Sequence, residues 1–160
     1  MRYIGIIIIL LCGAIAKRLY SSYLRERCSE CEGYVLFLKH LRERIGCYLL
    51  PAKEAAEGFE NEALCKTGFL SALSDSGSLR EAFEKTSEKS LLPEQAKKRL
   101  TALFFGWGRG HLDRELRSLD ASIEALEELA EDERAEIEKR GRVAAALIFA
   151  FFAGGSILIL

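Results

Sequence analysis

With 160 residues the chain suits one domain, and its 23 basic and 24 acidic side chains give a net charge of −1. So even a balance excludes the global cation excess that would point to nucleic acid as a partner. Its two prolines (Pro51, Pro93) and its wealth of Ala, Leu, Glu, Lys and Arg exclude a sheet-dominated fold, because these side chains lose little rotamer freedom in a helix. The charge is distributed unevenly. Every acidic residue, and every basic residue except Arg2, lies between Lys17 and Arg142, which divides the chain into three regions. The expected fold is all-α, a small antiparallel helical bundle over residues 24–142 flanked by transmembrane segments over residues 1–23 and 143–160.

The first predicted element is apolar. Tyr3 to Ala16 carries no charge and ends at Lys17-Arg18. Its 14 residues are short for a span, and Ala14-Ile15-Ala16 has the small-x-small form of a signal-peptide cleavage site. Basic residues directly after such a site oppose translocation. The apolar pattern also continues through Leu19, Tyr20, Tyr23 and Leu24, with the tyrosines at interfacial depth. An uncleaved membrane helix is expected.

Leu24, Cys28, Cys31, Val35, Leu38 and Ile45 then recur at steps of three and four, the stripe of an amphipathic helix. This predicts one long helix that Pro51 stops. Cys28 and Cys31 are the motif with most chemistry in it, since paired thiols at this spacing can ligate zinc or exchange with a disulfide. A zinc site needs further ligands, and His40 and Cys47 lie far along the same helix. A redox pair ordinarily follows a strand, and none is expected. The alternative is two small apolar side chains on a helix stripe, and the five cysteines of the chain are expected as free thiols in a reducing cytosol.

A short helix is predicted from Ala52 and another over Glu62 to Leu73, with a turn over Ser74 to Gly77. Ser78-Leu79-Arg80-Glu81 opens the next with a capping-box pattern, and Pro93 precedes a helix from Glu94 to Phe105. Gly106-Trp107-Gly108-Arg109-Gly110 is the sharpest break, because alternate glycines do not suit a helix interior. It lacks the Lys-Ser/Thr ending of a phosphate loop. Asp113 is expected to cap the final helix, just after the turn at Gly110. Leu112, Leu116, Leu119, Ile123, Leu126 and Ala130 form that helix's seam, and the opposite face is acidic. Glu124, Glu127, Glu128 and Glu131 are its candidate interaction residues. No nucleophile, base and oxyanion site assemble in the sequence, so neither an enzyme nor a cofactor is expected.

The last element, Val143 to Leu160, is 18 residues without a charge. As a helix it rises about 27 Å, close to the hydrocarbon thickness of a bilayer. Ala146, Ala150, Gly154 and Gly155 place small residues where helices pack closely in lipid, which would serve association with another helix or a second copy. Lys17, Arg18, Arg25 and Arg27 follow the first span, and Lys139, Arg140 and Arg142 precede the second. The positive-inside rule therefore predicts a hairpin in the cytoplasmic membrane with the bundle in the cytosol.

Gly110-His111-Leu112-Asp113-Arg114-Glu115, the Glu-rich helix after it and Arg80-Glu81-Ala82-Phe83-Glu84-Lys85 resemble elements of the stage III sporulation protein AB family. The resemblance implies a membrane component of the mother-cell channel complex. It also implies a helical domain similar to the inner-membrane platform protein of type II secretion and type IV pilus systems. Partners implied with it are a cytosolic secretion-type ATPase and other sporulation channel proteins. Two other readings stand beside it. One is an unrelated membrane-anchored adaptor or regulator, and the other is a thiol-redox or metal protein centred on Cys28 and Cys31.

Overall fold

The computed structural model describes residues 2–48, 52–108 and 111–159, with side chains described at 15, 18–46, 54–108, 111–139 and 143. All the regular structure among these residues is helical. The chain forms two units, one of Arg25–Ala130 and one of Met1–Leu24 with Glu131–Leu160. The first is the bundle. Among the described residues, Ala130 is the last of α7 buried in its core.

Helix α1 (Arg2–Tyr48) is the long first helix that the stripe predicts. All six stripe residues from Leu24 to Ile45 are buried. The buried arc is wider than that stripe, for Glu30, Tyr34, Phe37 and Leu41 are buried as well. A helix walled on two sides needs such a broad face. Gly33 permits one of those walls. A Cβ there would meet Asn61 Oδ1 at 2.8 Å and Leu64 Cγ at 3.3 Å, so only glycine lets the next helices approach this closely.

After α2 (Ala52–Ala56), Asn61 caps α3 (Glu62–Thr67) by accepting from the Leu64 N–H. The helix expected over 62–73 is in fact two. Gly68, at φ +81°, ends α3 in the left-handed conformation and α4 (Phe69–Ser76) starts at once. Glycine tolerates that conformation because it has no Cβ to clash. Ser78 caps α5 (Leu79–Ser87) through the Glu81 N–H, as the capping-box pattern implies. Pro93 occupies the cap position of α6 (Glu94–Gly106), where its missing N–H removes a donor that would have no helical partner.

The core joins α1 to α4, α5 and α6 through aromatic rings. Phe69 lies 5.1 Å from Tyr34, 5.3 Å from Phe37 and 6.1 Å from Phe104 between ring centroids. Phe83 meets Tyr34 at 5.9 Å and Phe104 at 5.5 Å. Most of these contacts are edge-to-face, an arrangement worth about 0.5–1.5 kcal/mol per pair beyond buried area. Helix α7 (Leu112–Ile159) closes the bundle with Leu119, Ile123, Leu126 and Ala130. Its seam starts later than expected, since Leu112 is exposed and Leu116 only partly buried.

Among the described residues no helix is long and apolar enough to cross a membrane. Apart from Ile15 and Val143, the side chains of the two expected spans, 3–16 and 143–160, lie outside those described. The packing residues Ala146, Ala150, Gly154 and Gly155 are among them.

Candidate functional site

The Cys28-Ser29-Glu30-Cys31 segment lies on α1 near the start of the bundle, and its three buried members point to two different walls. Cys28 and Cys31 face α7. The Cys31 thiol donates to the Leu126 carbonyl at 3.6 Å, and the Cys28 thiol lies 3.8 Å from the Ala130 carbonyl and 3.6 Å from Glu32 Oε1. Neither is in a disulfide. A thiol donating to a helix carbonyl is a small buried side chain with its weak donor satisfied. No group of three His, Cys, Asp or Glu side chains among the described residues could hold a metal ion.

Glu30 faces the other wall and is only 2% exposed. Its carboxyl accepts from Ser90 Oγ at 2.6 Å and from the Leu91 N–H at 2.8 Å. Ser90 Oγ in turn accepts from the Leu92 N–H at 3.2 Å, while the Ser90 N–H donates to the Thr86 carbonyl at 3.1 Å. One carboxyl on α1 thus pins the α5–α6 connection, whose backbone donors would otherwise be buried without partners. One turn further, the buried Tyr34 hydroxyl lies beside Thr86 without a well-formed hydrogen bond. Burial pushes the Tyr34 pKa far above its ordinary value, and the nearby Glu30 charge adds to the shift. The phenol therefore stays protonated at any physiological pH.

Beside this latch a groove of about 250 Å³ opens between α1, α3 and the pinned connection, bordered by Glu26, Glu30, Glu62, Lys66 and Lys89. Its charges are mixed, and Glu62 and Lys66 already pair at 2.7 Å. Sequence reasoning passed over Glu30 in favour of the flanking cysteines. The signal that could have found it is a carboxylate in register with Tyr34 and Phe37, on an otherwise apolar helix face.

The second concavity, about 290 Å³, lies at the α6–α7 corner against Leu103, Gly106, Trp107, Arg114, Glu115 and Ser118. Trp107 packs on the core edge, and Gly108 takes φ +77° to turn the chain. Gly110 lies outside the described residues. The expectation that Asp113 caps α7 needs correction. The helix begins at Leu112, and the His111 carbonyl accepts from the Arg114 and Glu115 N–H groups. His111 therefore stands at the cap, and Asp113 lies in the first turn. There its negative charge still faces the positive end of the helix dipole.

The four acidic candidates on α7 divide in two. Glu127 pairs with Lys39 of α1 at 2.5 Å, just as neighbouring Asp120 pairs with Arg42 at 2.8 Å. Glu124, Glu128 and Glu131 are exposed on the outer side. The structure does not bring the cysteines, the corner and this face together into one site.

A helical bundle wound around a buried carboxyl latch, with its first and last helices reaching into the apolar ends, defines the class of protein. The chain belongs to the stage III sporulation protein AB family, whose family model matches residues 2–160. It is a sporulation-associated protein. No curated protein and no solved structure gives a significant match.

Proposed function

We propose that the chain is a non-enzymatic membrane component of a sporulation channel or secretion-like complex. In this reading it acts as an assembly platform for a cytosolic secretion-type ATPase. Its place is the cytoplasmic membrane of the mother cell, with the bundle in the cytosol and both apolar ends inserted. The observation that carries the reading is helix continuity. Each apolar end belongs to the same hydrogen-bonded helix as one wall of the bundle, α1 over Arg2–Tyr48 and α7 over Leu112–Ile159. Backbone hydrogen bonding therefore runs without a loop between each apolar run and the helix that supplies a wall of the bundle. The uncharged 18-residue run Val143–Leu160 has the length of a span, and the cations beside both runs set the orientation.

Topology tests this. Reporters fused after Glu60 and Ser90 should be active only in the cytosol, and one at Leu160 only outside it. Alkaline carbonate should leave the chain in the membrane pellet. A translocated bundle would overturn the cytosolic partnership and the hairpin together.

A further inference from the structure

Exposed large apolar side chains concentrate in one unit. Ile15, Leu19, Tyr20, Tyr23 and Val143, exposed by 58, 68, 48, 44 and 54%, all belong to Met1–Leu24 with Glu131–Leu160. In the bundle only Leu36 and Leu112 are comparably exposed among the described residues, and they lie far apart in the chain. Scattered exposed leucines need no explanation, whereas a concentration of this kind marks a surface with something to cover it. Ile15, Leu19 and Tyr23 recur every four residues, so they follow one face of α1.

What covers the surface follows from the charges beside it. Arg18 lies three residues after Ile15, and Lys139 lies four residues before Val143. Both spacings put cation and apolar side chain on one helix face. On each helix the cation sits one turn further from the apolar end of the chain than its apolar neighbour. Both cations are exposed, and neither has an ion-pair partner among the described residues. In sequence, Lys17, Arg140 and Arg142 add to the same two positions. A second copy of this chain fits poorly, because a two-fold axis along the bilayer normal would bring like cations to the same depth beside one another. Phenols have an apolar body and a polar tip, which suits the boundary between acyl chains and headgroups.

We propose that this belt binds anionic phospholipid, with Ile15, Leu19 and Val143 against acyl chains, Tyr20 and Tyr23 at the boundary, and Arg18 and Lys139 on the headgroup phosphates. The proposal rests on the membrane reading above and adds a lipid class to it. Anionic headgroups, several-fold enriched around such cations, would fix the depth at which α1 and α7 leave the bilayer.

The test uses the full chain reconstituted in phosphatidylcholine vesicles with and without phosphatidylglycerol. Tyr23→Trp in a Trp107→Phe background leaves one fluorophore at the belt. Should Trp107→Phe reduce helicity by circular dichroism, Trp107 is kept and the signal of the parent subtracted. Phosphatidylglycerol with brominated acyl chains should quench that fluorophore several-fold more than brominated phosphatidylcholine at equal fraction. The preference should vanish at high salt and weaken in Arg18→Gln/Lys139→Gln, with quenching itself retained. Equal quenching by the two lipids would overturn the proposal, as would none, the latter meaning that protein covers the face. Carbonate extraction separates the two readings. A chain released from the pellet defeats the membrane reading, and one retained without headgroup preference defeats only this proposal.

Discussion

Helix α1 has two seams in the bundle, and they are built differently. Toward α3–α6 it presents Glu30, Tyr34 and Phe37, which meet rings and a pinned backbone in full burial. Toward α7 it presents Cys28 and Cys31, small side chains against helix carbonyls, with the Lys39–Glu127 and Arg42–Asp120 pairs along the half-exposed edge. Buried aromatic contacts and hydrogen bonds to a carboxylate are strong because water cannot compete for them, whereas exposed ion pairs are screened and lose side-chain entropy. The first seam is therefore the one expected to define the fold. The second holds α7 in place with weaker, more adjustable contacts, which suits a helix that also reaches the apolar end of the chain.

The sharpest way to break the comparison is at Phe69, the ring that touches three others. Phe69→Ala should destabilise the bundle by about 3–5 kcal/mol, because it removes a large buried side chain and leaves a cavity. Denaturant unfolding of the full chain in detergent, followed by Trp107 fluorescence, measures it. A loss below that of any edge ion pair would show that the aromatic seam is not the stronger one. The next effect should come from Glu30→Gln. The amide keeps one acceptor oxygen and turns its other end into a donor facing either Ser90 or the Leu91 N–H, at a cost of about 1–3 kcal/mol. Faster amide exchange at Leu91 and Leu92 should accompany the loss. Unchanged exchange there would mean that the carboxyl does not hold the α5–α6 connection. The smallest effect is expected at Arg42→Ala, below about 1 kcal/mol and smaller still in high salt. A salt-independent loss larger than that of Glu30→Gln would reverse the ranking of the two seams.

The resemblance rested on short motifs, and the family match over residues 2–160 bears it out. Much of the candidate site was harder to read. The cysteines attracted attention as reactive residues, yet spacing cannot tell a thiol aimed at a metal from one resting on a helix carbonyl. Asp113 looked like a cap because it follows a glycine turn and precedes a leucine seam. The helix instead starts at Leu112, two residues earlier than a cap at Asp113 requires, with the His111 carbonyl accepting its first backbone bonds. Glu30 went unnoticed because a lone glutamate in a charged helix ordinarily faces water.

Periodicity, breakers and caps are local properties, and these the sequence determined by itself. They include the all-helical class, the long first helix with its stripe from Leu24 to Ile45, the serine cap at Ser78, the break at Gly106–Gly108, and the buried stretch of the α7 seam from Leu119 to Ala130. The tertiary structure alone decided the partners of each face. It split residues 62–73 at Gly68, brought Asn61 against Gly33, and joined Tyr34, Phe37, Phe59, Phe69, Phe83 and Phe104 in one chain of ring contacts. It also carried Ser90 and Leu91 across 60 residues of chain to Glu30. A carboxylate can stay buried only where donors from elsewhere in the chain meet it. That condition depends on contacts distant in sequence, and no local pattern records it.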